Sequence, residues 1–103
     1  MISKDYIDAN IAAWKKVAAR ADLIGKEVRF VNRIGNTDER GKIRSIRVED
    51  GRFIIESDPI EPGSKAPQLR YRIDEERDPH HVGDTIFCDL DDNHRQIRIS
   101  TVN

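Results

Sequence analysis

The chain is 103 residues long and sets 18 basic side chains against 19 acidic ones, a formal net charge of -1. That length makes one domain, residues 1–103, with no room for a second. Hydrophobic types are 37% and charged types 36%, and no stretch nears the roughly 18 consecutive apolar residues of a bilayer-crossing helix, so no membrane partner is expected.

Charge is unevenly spread. Residues 26–72 carry 11 basic and 8 acidic groups, whereas residues 73–103 carry 3 basic and 8 acidic ones. The chain lacks the uniform basic footprint of a nucleic-acid domain, although one face can still be basic. The start, Met1-Ile2-Ser3-Lys4-Asp5, has no apolar core of the secretory kind, and a lone cysteine, Cys88, cannot crosslink its own chain. Both features lead to the expectation of a cytoplasmic protein.

From about Lys4 to Leu23 the pattern is helical. Ile7, Ile11, Trp14, Ala18 and Ala21 recur at steps of four and three and share one stripe, which Val17 and Ile24 widen. Ser3 or Asp5 can cap this helix, Asp5 and Asp8 place negative charge at its positive end, and Gly25 stands where a left-handed cap would close it.

Past Gly25 the period drops to two. Val28, Phe30 and Ile34 alternate with polar neighbours in a first strand, and Gly35 to Gly41 reads as a polar loop between glycines. A second strand spans about Lys42 to Glu49, where Ile43 and then Ile46 and Val48 change parity, predicting a β-bulge near Ser45. Asp50-Gly51 predicts a two-residue hairpin leading to a third strand, Arg52 to Ser57. Asp58 to Pro67, with three prolines and a glycine, reads as an ordered surface loop. Leu69, Tyr71 and Ile73 mark a fourth strand, Asp74 to Asp84 an acidic connection, and Thr85 to Leu90 a fifth strand. Asp91-Asp92-Asn93 is a turn and His94 to Val102 a sixth strand.

The expected fold is α+β, mainly β. One N-terminal amphipathic helix (residues 1–25) packs on a five- to six-stranded antiparallel, strongly curved sheet or small barrel (residues 26–103). The likeness to SH3-like barrels extends to strand count alone. Several strands are apolar on both sides, so Val31, Ile54 and Phe87 point away from the interior and need cover. The stripe of Ile7, Ile11 and Trp14 is the expected cover, from the chain's own helix or from a second copy.

Few side-chain groups form a reactive pattern. His80, His81, Cys88 and His94 lack the paired ligand spacing of a zinc site, and the acidic turn from Asp89 has His94 and Ser100 where a calcium loop needs Gly and Glu. Cys88 alternates with Ile86 and Leu90 and reads as a small core residue. No catalytic set, cofactor or metal ligand set is expected. The arginines carry the one suggestive pattern: Arg29, Arg44, Arg70 and Arg72 oppose core positions, so a shared outer face could grip phosphates or a partner, although pairing across strands with Glu27, Glu49 and Glu56 is the more ordinary use of such arginines. The missing catalytic set and the apolar residues on both faces of the third and fifth strands point to a non-catalytic interaction module that binds a protein or a second copy of itself as a homodimer. The alternative is a small-barrel binder of RNA or single-stranded DNA that uses Arg29, Arg44, Arg70 and Arg72.

Overall fold

A computed structural model describes residues 4–90 and 94–102; the Ser3 cap and the Asp91-Asp92-Asn93 turn lie outside the described residues. Helix α1 spans Lys4–Ala18, with Asp5 in its first turn and Lys15 and Lys16 in its last, each opposing the macrodipole. It stops earlier than the periodicity predicts. Arg20 turns extended and makes a two-pronged ion pair with Asp22, and Ala21–Leu23 form a short 3-10 turn. The reason is burial: Leu23 lies off the helical stripe, and breaking the helix carries it fully into the core while Ile24 stays 52% exposed. Gly25 takes φ 88 and donates its N–H to the Ile43 carbonyl at 2.8 Å.

Among the described residues seven strands follow: β1 Glu27–Asn32, β2 Thr37–Glu49, β3 Arg52–Pro59, β4 Leu69–Arg72, β5 His80–Val82, β6 Thr85–Leu90 and β7 Arg95–Ser100. They form one antiparallel sheet in the order β4-β3-β2-β1-β7-β6-β5. The sheet is not closed into a barrel, and β4 and β5 are its two edges. Closure would pair those edges; instead residues 73–79 join them, and this connection is tied to α1. Asn10 Nδ2 donates to the Asp74 carbonyl at 2.6 Å and Trp14 Nε1 to the Arg77 carbonyl at 2.7 Å.

Two of the expected elements are corrected. Gly35 to Gly41 is mostly strand, because the turn is tighter: Asn36 takes φ 51 and β2 begins at Thr37. Gly41 serves close approach, not a turn, since an added Cβ would lie 2.6 Å from Ser57 Oγ and 2.9 Å from the Asp58 carbonyl. The acidic connection holds a seventh strand, β5, which hairpins onto β6 through Gly83 at φ 58. The bulge falls between Ile43 and Ser45, and Asp50 and Gly51 take φ 51 and 70, the doubly left-handed geometry of a type I′ hairpin.

The core lies on one side of the sheet. Val28, Ile43, Phe53, Ile55, Ile86 and Ile97 join Trp14, Val17 and Leu23 in one buried cluster. The Trp14 and Phe53 rings stack 4.0 Å apart. On the same side Tyr71 of β4 lies 3.5 Å from Arg95 of β7, although β3, β2 and β1 separate them in the sheet.

The helix therefore covers the inner face. Val31, Ile54 and Phe87 project on the other side, so α1 cannot be their cover as the sequence pattern suggests. Long neighbours do that work. Ile54 is only 5% exposed and lies in register between Arg47 and Arg70, residues with alkyl stems long enough to cover it. The Arg98 guanidinium carbon sits 5.7 Å from the Phe87 ring centroid, and Val31 lies between Asp38 and Gln96. Ile7 and Ile11 are half-buried on the helix flank.

Removing Trp14 deletes a ring buried on both faces and an interior donor. Trp14→Ala should cost about 3–5 kcal/mol in urea unfolding; a loss under about 1 kcal/mol would mean that the helix is not docked there. Gly41→Ala should cost about 1–3 kcal/mol from overpacking, read from the same midpoint shift.

Candidate functional site

Strand register decides which guanidinium groups meet carboxylates. Arg29 on β1 donates from Nε and Nη2 to Asp38, with Nε 2.8 Å from Oδ2, and Arg40 approaches the same carboxylate at 3.8 Å. Arg44, the bulge residue, donates to Asp58 at 2.7 Å and to Glu56 at 3.1 Å. Arg47 shares Glu56 and adds Glu49 at 3.0 Å. Arg98 donates to Gln96 at 2.6 Å while lying over Phe87. Most of the outer face is thus a lattice of mutually satisfied charges.

These contacts leave their mark on titration. Hydrogen bonds from Arg29, with the charges of Arg40 and Arg98, hold the Asp38 carboxyl below the usual carboxylate range. Arg47 and then Arg44 do the same for Glu56.

The β4 end of the face is different. Arg52, Arg70 and Arg72 are exposed and have no ion pair or side-chain hydrogen bond among the described residues. Arg52 and Arg72 are directly opposite each other. Ile73 donates its N–H to the Gly51 carbonyl at 2.8 Å, next in the same register. Alternation then makes Tyr71–Phe53 a hydrogen-bonded pair and Arg72–Arg52 a non-hydrogen-bonded one, the kind in which side chains sit closest. Like charges in that position repel. Arg70 follows two residues away on the same face, beside Ile54. Because β4 pairs with β3 alone, the N–H and C=O groups of Arg70 and Arg72 face outward from the sheet edge.

The four arginines singled out from the sequence do not gather into one patch. Arg70 and Arg72 stand together, while Arg29 and Arg44 lie elsewhere on the sheet and are bound to carboxylates. Arg52 is not among those four, although it lies close to Arg44 in sequence. Its signal is the Asp50-Gly51 hairpin, which pairs Glu49 with Arg52, but only the β3–β4 register sets Arg52 against Arg72.

The other chemistry-bearing residues fall apart similarly. Cys88 is buried on the inner face, where burial, followed by the charge of Asp78, drives its thiol well above the usual range, away from the thiolate a nucleophile needs. His80 Nε2 lies 3.2 Å from Asp78 Oδ1, and its neighbour His81 has the opposite parity on β5. Among the described residues no three His, Cys, Asp or Glu side chains gather as a metal site, and no helix is long and apolar enough to cross a membrane. Compared with known protein families, curated proteins and solved structures, the chain has no significant match.

The Asp38 pair gives a pH signature. Its folded pKa is depressed, so its contribution to stability is present above the ordinary carboxyl pKa of about 3.9 and is lost as pH falls through the lower folded value. Urea midpoints of Asp38→Asn should therefore depend less on pH below about 5 than those of the parent chain; parallel curves would mean that the pair adds nothing to folding.

Proposed function

We propose that the chain is a non-catalytic interaction module which binds an acidic protein partner through Arg52, Arg70 and Arg72. In this reading its frame is a strongly curved sheet whose outer side carries the arginines, and its setting is the cytoplasm, in keeping with one buried thiol. The observation that carries the reading is the placement of Arg52 against Arg72 with neither in an ion pair among the described residues, since Glu49, in register with Arg52, is bound to Arg47. Elsewhere on the face each arginine cluster comes with its own acids, as Arg44 does with Glu56 and Asp58. A cation pair left uncompensated costs stability, and an anionic partner removes that cost on binding.

A second copy of the chain is a poor occupant here, because arginines would meet arginines. Homodimerisation through another surface is the remaining form of the self-association proposal, and light scattering across concentrations reads it. Nucleic acid is the competing reading, supported by Arg98 stacked over Phe87 beside Arg29, an arrangement that could receive a base and its phosphate. Against it, Arg29 and Arg44 are already neutralised by Asp38, Glu56 and Asp58.

Titration of the isotope-labelled chain with poly-L-glutamate and, separately, with oligothymidylate separates these readings. Poly-L-glutamate should shift the amides of β3 and β4, the effect should fade with added salt, and Arg52→Ala with Arg72→Ala should abolish it. Shifts from oligothymidylate alone, centred on Phe87 and Arg98, would replace the protein-binding reading with the nucleic-acid one.

A further inference from the structure

The β4 edge offers more than charge. A peptide can add to a sheet edge by pairing its backbone with the unused N–H and C=O groups, while alternate side chains give specificity. Strand β4 supplies both parts. Its outward backbone groups belong to Arg70 and Arg72, and the side chains of those same residues stand on one face, two positions apart. Positions i and i+2 of a strand are about 6.8 Å apart, so a neighbouring strand in register presents its own alternate side chains at matching intervals.

We infer that the free edge of β4 receives an extended acidic peptide as an added strand, with carboxylates at alternate positions meeting Arg70 and Arg72 and with Arg52 reinforcing the field. The inference deepens the reading above and rests on it. The residue between the two carboxylates faces the helix side. There a groove of about 450 Å³, with Ile7, Ile11 and Ile73 as its apolar lining and Gly51, Arg72, Asp50 and Asp74 as the rest, opens at the end of β4. The recognised pattern is thus acidic, apolar, acidic in an extended conformation.

Two other occupants fit less of what is present. A nucleic-acid strand satisfies the guanidinium groups but not the outward backbone N–H and C=O groups. Charges placed on an edge to deter aggregation account for Arg70 and Arg72 on β4 but not for Arg52, which lies on the interior strand β3.

The test uses the full chain and three fluorescein-labelled probes: a peptide of about ten residues with a Glu-Val-Glu-Val-Glu centre, its isomer with a Glu-Glu-Glu-Val-Val centre, and oligothymidylate. Fluorescence anisotropy at low salt reads affinity, and amide hydrogen exchange reads the edge. The alternating peptide should bind about tenfold or more tighter than its isomer, a difference of about 1.4 kcal/mol. It should also slow exchange at the Arg70 and Arg72 amides. The double variant Arg70→Glu, Arg72→Glu should lose that binding and gain affinity for a Lys-Val-Lys-Val-Lys peptide; should charge reversal unfold the chain, Arg70→Ala with Arg72→Ala should show the same loss. Equal binding of both isomers with unchanged edge exchange would overturn strand addition while leaving an acidic partner on the arginine cluster. Failure of both peptides to bind would overturn the parent reading as well, and binding of oligothymidylate alone would overturn both in favour of nucleic acid.

Discussion

Trp14 joins the three parts of this fold. Its ring stacks on Phe53 in the middle of the inner face, and its indole N–H reaches across to the Arg77 carbonyl. Through the first contact the helix is fixed to the sheet; through the second it secures the connection between the two edges. Asn10 adds a second tie to that connection at Asp74, whose carboxylate in turn pairs with Arg77. A fifteen-residue helix is marginal in water by itself, so its existence depends on this docking. The open sheet depends on it equally, since among the described residues no strand pairing joins β4 to β5.

The chemistry of the outer face follows from where the helix went. With α1 on the inner side, Val31, Ile54 and Phe87 had to be covered by strand neighbours, and arginine suits that task because its stem is apolar and its head stays in water. Along β1, β2 and β7 those heads are answered by Asp38, Glu56, Asp58 and Gln96. At the β4 end the neighbouring acids are engaged elsewhere or lie in the connections: Glu49 pairs with Arg47, Asp74 with Arg77 and Asp78 with His80, while Asp50 belongs to the β2–β3 turn and Glu75 and Glu76 to the connection after β4. The result is a charge imbalance confined to one edge of an otherwise balanced surface. A net charge of -1 conceals it completely.

Much of the architecture was readable from residue order, for specific reasons. The stripe through Ile11, Trp14 and Ala18 announces α1, and Asp50-Gly51 announces its hairpin because few other pairs accept two left-handed positions. The parity change between Ile43 and Ile46 gives the bulge. What escaped was whatever depends on partners distant in the chain. Gly41 looks like a loop residue until Ser57 and Ala66 are seen packed against it. Strand β5 carries His80, His81 and Val82, all exposed, and has no alternation to betray it. Alternation also shows that Val31 and Ile54 oppose the core set without saying on which side a helix will settle. The arginine site was half legible for the same reason: Arg70 and Arg72 are paired by spacing alone, whereas Arg52 joins them only through register.

The most direct measurement is hydrogen exchange of the Trp14 indole, the chain's one tryptophan. If the ring is wedged between Phe53 and Arg77 as described, its Nε1–H exchanges only when the whole chain unfolds, at the pace of the Val28 and Ile97 amides. Rapid exchange of the indole while those strand amides stay protected would show the helix free of the sheet, and the placement of every outer-face arginine would have to be derived anew.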